Sequence, residues 1–466
     1  MEDYFKLGHM SLVNESLGSE VKFILPHRCV LKSSSLTTKV RVVFDGSCKS
    51  TNNISLNDVL MVGPIIQPDI FNTLLRFRKH QIAFTADIEK MYRQIKLHPS
   101  DRQFQHILWR EDKSKSVQEY ELNTVTYGLG PSSFLATRCL KQLAIENSKD
   151  FPEASHVIEN NFYMDDLISG TDSVEDAIYL IKHFINILDS AKFPLRKWTS
   201  NRTEIFENLN LDLSSSEFMI KDGSSTKTLG VFWFSLEDVF SYSANKLSIK
   251  TYTKRSILSI ISQVFDPLGL IAPVTITAKI LLQKLGSLKV DWDDVLPDYY
   301  VKSFLNYCEI NKLKISRCLI INNAIDLELH CFTDASTSAY GAVIYILSRN
   351  NIGYKVSLAC AKSKVAPLKT ITLPRLELMA ALLGAQLASR LLESLNLSFD
   401  KIMFWCDSTI TLTWIKREPS TLKTFVANRI SQIQSLTMDN EWRYVPSSEN
   451  PADFVSRGVQ PSEISS

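Results

Sequence analysis

At 466 residues, with 45% hydrophobic and 22% charged side chains, the chain has the composition of an ordinary folded protein, long enough for about three domains. Its formal net charge of +2 excludes a global basic field, so any polyanionic partner has to be met by local patches. Eight cysteines without a Cys-x-x-Cys pair argue against a zinc site or a disulfide framework and predict an intracellular protein, cytoplasmic or nuclear and not secreted.

The first ten residues are charged and lack an apolar run, so no signal peptide is expected. Residues 21–31 and 39–45 read as strands, with Lys39 and Arg41 alternating with apolar positions and so sharing one face; taken alone, a solvated strand face is the plainer explanation of both. Residues 68–80 carry helical apolar spacing (Ile70, Leu74, Leu75, Phe77). They end in Arg76, Arg78, Lys79 and His80, cations that suit a helix dipole as well as a phosphate. Residues 82–87 form a short apolar strand ending in Asp87, which can cap the next turn or bind a cation. Tyr127-Gly128-Leu129-Gly130-Pro131 is a glycine-rich turn opening a helix to about Ser148.

Phe162-Tyr163-Met164-Asp165-Asp166-Leu167-Ile168 predicts a tight hairpin with two acids at its tip. Adjacent carboxylates in apolar company repel, and a divalent cation would relieve them; plain turn chemistry is the alternative. With Asp87 on a neighbouring strand, they are the parts needed to hold two metal ions about 3.5–4 Å apart. Residues 174–193 then predict an amphipathic helix and residues 227–234 a buried strand. Helical patterns cover 254–265, 274–285 and 297–312. Asp266, Pro267, Gly269 and Pro273 break the weakly charged run 256–278, which reads as two buried helices and not a membrane span. Lys246, Lys250, Lys254 and Arg255 form a basic cluster able to grip a nucleic-acid backbone without reading sequence.

The last third reads β-β-β-α-β-α. Asp334 ends its first strand, Glu377 lies in the first turn of a helix opened by Pro374, Asp407 ends the following strand, and Asp453 opens a last short helix. Each acid has a cap or turn explanation by itself. Glu377 also borders a stripe of small residues, Ala380, Ala381, Gly384 and Ala388, that lets its helix approach a sheet closely.

The order Arg41-Val-Val-Phe-Asp45, Thr85-Ala-Asp87, Tyr127-Gly128, Tyr163-Met-Asp-Asp166, Leu195-Arg-Lys-Trp198 and Leu229-Gly230 resembles the successive motifs of retroelement reverse transcriptases. Residues 253–273 are similar to the segment typical of BEL/Pao-class LTR retrotransposons. Thr-Asp334-Ala-Ser, Leu-Glu377-Leu, Cys-Asp407-Ser and Asn-Pro-Ala-Asp453 resemble the four-carboxylate site of the ribonuclease H region in such polyproteins. The resemblance implies a multidomain α+β and α/β fold. Residues 1–245 would be the fingers and palm of a right-hand polymerase, 246–325 a helical thumb and connection, and 326–466 a ribonuclease H-like mixed-sheet domain.

It further implies that Asp87, Asp165 and Asp166 bind two Mg²⁺ for RNA-directed DNA synthesis, with Mn²⁺ as a substitute. Lys39 and Arg41 would reach the triphosphate and Lys197 the leaving pyrophosphate. Tyr92 would block a ribose 2′-hydroxyl, and Tyr127 and Gly128 would lie on the template side. Asp334, Glu377, Asp407 and Asp453 would bind two more Mg²⁺ for cleavage of the RNA strand of a hybrid. The implied partners are an RNA template, a DNA primer, an RNA–DNA hybrid, deoxynucleoside triphosphates and other polyprotein parts, with no membrane. No histidine follows His330, so a histidine beside the last Asp has no counterpart and turnover is expected to be slow. The alternative is a catalytically inactive or domesticated nucleic-acid-binding relic. No Asp-Thr-Gly or Asp-Ser-Gly triplet supports a protease, and no His-His-Cys-Cys pattern an integrase.

Overall fold

All seven residues of the Ile82–Ile88 strand are buried, as a strand covered on both faces requires. In the computed structural model this strand lies inside a four-stranded sheet of order Phe162–Tyr163, Asp166–Thr171, Ile82–Ile88, Leu195–Ser200. The structure describes residues 1–13, 23–31, 40–209, 217–219, 231–242, 251–307, 309–310, 313–437 and 440–464. Lys39, Lys246, Lys250 and residues 227–230 lie outside them. The architecture is mixed α/β and divides into two compact units.

The first unit comprises residues 1–68, 86–167 and 179–196. Its small core gathers Met10, Leu25, Phe44, Leu56, Ile107, Tyr120 and Leu122. The His27–Leu31 and Val40–Phe44 strands pair antiparallel, and Met10–Leu12, Gln118–Leu122 and His106–Trp109 make a three-stranded sheet in that order. The turn after Phe44 and the turn at Gly128 are locked together. Asn57 donates to the Gly128 carbonyl at 3.0 Å and accepts from the Gly130 amide at 2.8 Å. Gly128 has φ +93, and a Cβ there would meet the Phe44 carbonyl oxygen at 2.2 Å, so only glycine fits.

The second unit comprises residues 69–85, 168–178 and 197–466. Its centre is a five-stranded sheet of order Tyr354–Val365, Ala339–Arg349, Asp326–Ala335, Lys401–Cys406, Glu441–Tyr444. The first two pairings are antiparallel and the last two parallel. Helix Leu373–Leu395 is long and apolar enough to cross a membrane by length and composition, yet most of its apolar run is buried in this fold. It comes so close to the sheet that a Cβ on Gly384 would sit 2.6 Å from the Thr333 methyl and 3.0 Å from the Cys331 sulfur. The small-residue stripe has this physical purpose.

Arg78, grouped in the sequence with cations suited to a dipole or a phosphate, is instead 1% exposed. It donates to the carbonyls of Arg317 at 2.9 Å, Ser316 at 3.0 Å and Ala359 at 2.6 Å, pinning helix Ile70–Lys79 to distant strands. Arg317 answers from the other side, donating to the Phe77 and His80 carbonyls and pairing with Asp238 at 2.6 Å. The Asp266 carboxylate accepts from the amides of Leu270 and Ile271 and from Tyr242, so it closes the turn that starts helix Ala272–Ser287. Gly269, at φ +69, lets that turn lie against the edge strand, where Ala361 donates to the Leu268 carbonyl at 2.9 Å. The open edge is thereby covered.

Candidate active sites

The first acid set lies in the first unit. Tyr163 pairs with Asp166, so the hairpin turn proper is Met164-Asp165, with Met164 at φ +57, and Asp166 is already the first residue of its strand. The Met164 amide donates to the Gln67 side chain at 3.1 Å, which holds the turn from outside. The amide of Ile88 donates to the carbonyl of Asp165 at 2.8 Å, so Asp87 and the two hairpin acids share one sheet end. Asp87 is 8% and Asp166 5% exposed, while Asp165 is half-buried.

The second set lies in the second unit. Thr333 pairs with Cys406 in parallel register, so Asp334 on one strand and Asp407 just past the end of its neighbour lie at the same sheet end. Glu377 sits two helical turns before Gly384, on the helix face that approaches Thr333. Asp453 starts helix Asp453–Arg457, brought to the sheet by Asn450, which is 4% exposed. Asn450 donates to the Thr333 carbonyl at 3.1 Å and accepts from the Ala452 amide at 3.1 Å, folding the Asn-Pro-Ala-Asp turn back onto the strand that ends in Asp334.

Asp334 and Glu377 feel the neighbouring acids. Burial pushes the Asp334 carboxyl up, a hydrogen bond donated by Ser456 partly offsets this, and the charges of Asp407 and Asp453 push it further. Burial also pushes Glu377 up, opposed by a hydrogen bond from Ser408 and reinforced by Asp407 and Asp334. Ser447 donates to Asp407 at 2.7 Å, and Arg457 pairs with Asp453 one turn along its helix.

Hard carboxylate oxygens that repel one another are the donor set a divalent cation of the Mg²⁺ type takes, so the residues fit such an ion in chemistry. Among the described residues, no three His, Cys, Asp or Glu side chains stand as a ready-made metal shell.

Residues 30–206 match the family described as reverse transcriptase (RNA-dependent DNA polymerase), and residues 253–408 match the Pao retrotransposon-like RNaseH-like domain. The chain carries a reverse transcriptase domain followed by a Pao retrotransposon RNaseH-like domain. The first match contains Asp87, Asp165 and Asp166; the second contains Asp334, Glu377 and Asp407 and stops short of Asp453. No curated protein matches the sequence.

Among solved structures, the fold is similar to the foamy viral protease-reverse transcriptase in complex with an RNA/DNA hybrid. That match has a TM-score of 0.60 and 13% identity, over 96% of this chain and 52% of that one. The same viral protein in complex with dsDNA gives a TM-score of 0.58 at 14% identity, over 96% of this chain and 81% of the other. The form named dRH, in complex with ds DNA, gives 0.58 at 13%, over 96% and 68%. This chain thus spans about half the length of the first of these structures, and at such identities the likeness concerns the fold alone.

Of the reverse transcriptase residues expected to meet substrate, Tyr92, Tyr127 and Gly128 come together. The Tyr92 hydroxyl lies 3.3 Å from that of Ser133, its ring centroid 6.5 Å from that of Tyr127, and burial pushes its phenol up, with the Asp165 charge adding to the effect. Tyr127 shares a 2.7 Å hydrogen bond with Tyr4, and the buried Arg93 lies over both rings. Neither Tyr4 nor Arg93 stood out as a site residue in the sequence, because their meeting depends on the N-terminal strand pairing with residues 120–122. Arg41 is exposed on its strand, and Lys197 is an exposed residue of the second unit at φ +55. In the expected basic cluster, Arg255 is paired with Asp293 at 2.7 Å and Lys254 donates to the Leu288 carbonyl, so both are engaged within the protein.

Proposed function

We propose that the chain is an RNA-directed DNA polymerase joined to a ribonuclease specific for RNA–DNA hybrids, acting inside the cell on an RNA template, a DNA primer and deoxynucleoside triphosphates. The observation that carries the first half is the Ile88–Asp165 backbone bond, which brings strand-end Asp87 beside the Asp165-Asp166 hairpin. The second half rests on the parallel Thr333–Cys406 pairing, which puts Asp334 and Asp407 at one sheet end, and on Asn450, which folds the turn of Asp453 back onto the strand of Asp334. The working division remains 1–245, 246–325 and 326–466.

Asp87, Asp165 and Asp166 would hold one pair of Mg²⁺ ions, and Asp334, Glu377, Asp407 and Asp453 another. Bound there, such ions supply charge neutralisation and activation of the attacking oxygen. Tyr92 is near enough to Asp165 to feel its charge, and its ring would crowd a ribose 2′-hydroxyl and favour deoxynucleotides. Tyr127, fixed by Tyr4 and Arg93, and Gly128, fixed by Asn57, would keep the template side rigid. In the ribonuclease half, Ser456, Ser408 and Ser447 would orient three of the carboxylates by donating hydrogen bonds, and Arg457 would balance the fourth.

The test is extension of a DNA primer on an RNA template with Mg²⁺, followed by sizing of the RNA fragments. Incorporation and shortening of the RNA support both halves. The lack of a ready-made shell among the described residues favours a second reading, a nucleic-acid-binding relic. Binding of hybrid with neither activity would select it.

A further inference from the structure

The second unit contains a half-open cavity of about 400 Å³, within the range of small-ligand sites. Helix Leu373–Leu395 contributes Leu383, Gln386, Leu387 and Arg390; helix Ala272–Ser287 contributes Lys279, and the edge strand contributes Lys362. None of these belongs to either acid set. The floor is preformed, because a Cβ on Gly269 would lie 1.9 Å from the Ala361 carbonyl oxygen, so turn and strand are already in contact.

The two lysines of this cavity are not balanced by ion pairs as the cations at three other places in the unit are. Arg349 and Lys401 share Glu328, Arg317 holds Asp238, and Arg255 holds Asp293. The Lys279 and Lys362 side chains have no ion pair or hydrogen bond among the described residues; burial disfavours the charge on Lys279, the Asp266 charge supports it and the Lys362 charge opposes it. Asp266, the acid facing Lys279, spends its oxygens on two backbone amides and Tyr242. Asp69 is taken by Arg390 at 2.7 Å and by the first turn of its own helix. Two ammonium groups lining one concave site without hydrogen-bond acceptors gain most from an anion with several oxygens.

The remaining walls specify more. The Arg390 guanidinium, which lines the cavity with Leu383 and Leu387, lies 4.3 Å from the Phe71 ring centroid and is held by Asn72 and Asp69. A flat ring can stack there. We propose that this cavity is a binding site for a small phosphate-bearing anion of the nucleoside monophosphate class, with the phosphate at Lys279 and Lys362 and the base against Arg390. The site is separate from both acid sets.

Binding of dAMP, tripolyphosphate and inorganic phosphate to the full chain would be measured by calorimetry with EDTA present, so that no metal-dependent phosphate site contributes. The expected result is one saturable dAMP site, weakened at least tenfold in Lys279→Glu and in Lys362→Glu, each measured well below its own melting temperature. Tripolyphosphate should compete with dAMP, and Arg390→Lys should weaken dAMP but not tripolyphosphate. Absence of binding for all three anions at millimolar concentration overturns the proposal. So does dAMP binding that survives both charge reversals. Displacement of dAMP by a short RNA–DNA hybrid, lost in the same two variants, also overturns it by assigning the cavity to nucleic-acid backbone.

Discussion

The two acid sets are held by different means. In the reverse transcriptase domain the main chain holds them: two acids are neighbours on one hairpin, the third lies on the adjoining strand, and the Ile88–Asp165 bond fixes the pairing. In the RNaseH-like domain four acids come from four elements, and Ser456, Ser408, Ser447 and Asn450 hold them through side chains. A backbone-held site depends on the sheet, whereas a side-chain-held site depends on particular hydroxyls and amides up to 122 residues away.

The sharpest way to separate the two is a crossed pair of variants. Asp165→Asn with Asp166→Asn is expected to lower primer extension about a thousandfold, roughly 4 kcal/mol of lost charge stabilisation. Hybrid cleavage should stay intact, and Asp334→Asn with Asp407→Asn should do the reverse. Paired extension and cleavage assays check this, and loss of both activities in either variant would break the comparison.

Next come the hydrogen-bonding residues around the acids. Asn450→Ala and Ser456→Ala should each cost about 10–100-fold in cleavage, the usual effect of removing a group that orients a metal-binding carboxylate. Gln67→Ala, which removes only a support of the Met164 amide, should cost extension no more than a few-fold. Equal losses in all three would mean that the two sites are held alike.

Gly128→Ala tests the backbone side directly. A positive φ and a contact with the Phe44 carbonyl predict about 1–3 kcal/mol of lost stability in urea unfolding, with extension falling alongside.

The acid–base behaviour of the second unit gives a smaller effect. Asp334 and Glu377 have raised folded-state values, from 3.8 and 4.5, so without metal their contribution to stability is present below those values and is lost as pH rises. Glu328 is the opposite case. Burial would raise it, but Arg349, Lys401 and His330 bring it from 4.5 down to about 2, so its contribution is present above pH 4.5 and is lost as pH falls towards 2. Melting in EDTA across pH 2–8 should therefore show an acid limb that weakens in Glu328→Gln.

The acids, their order and the strands that carry them were legible because each is local: an apolar alternation that stops at an Asp, or a tight hairpin. The turn register was not, since only cross-strand pairing shows that Asp166 already faces Tyr163. Arg78 was misjudged for a related reason. Its carbonyl partners lie 238 to 281 residues away, and nothing beside it in the chain marks them. The small-residue stripe beside Glu377 was legible, because a helix that must approach a sheet advertises it in side-chain size.

By itself the sequence determined the chemistry available, namely seven carboxylates at the ends or starts of regular elements. It also determined the local shapes that present them, because short-range sterics and alternation act within a few residues. Tertiary structure alone decided which carboxylates repel each other, which serine hydroxyls answer them, and that Lys279 and Lys362 meet at one cavity. Those outcomes depend on strand pairing and helix docking between segments far apart in the chain, where burial and Coulomb interaction act through space and not along the backbone.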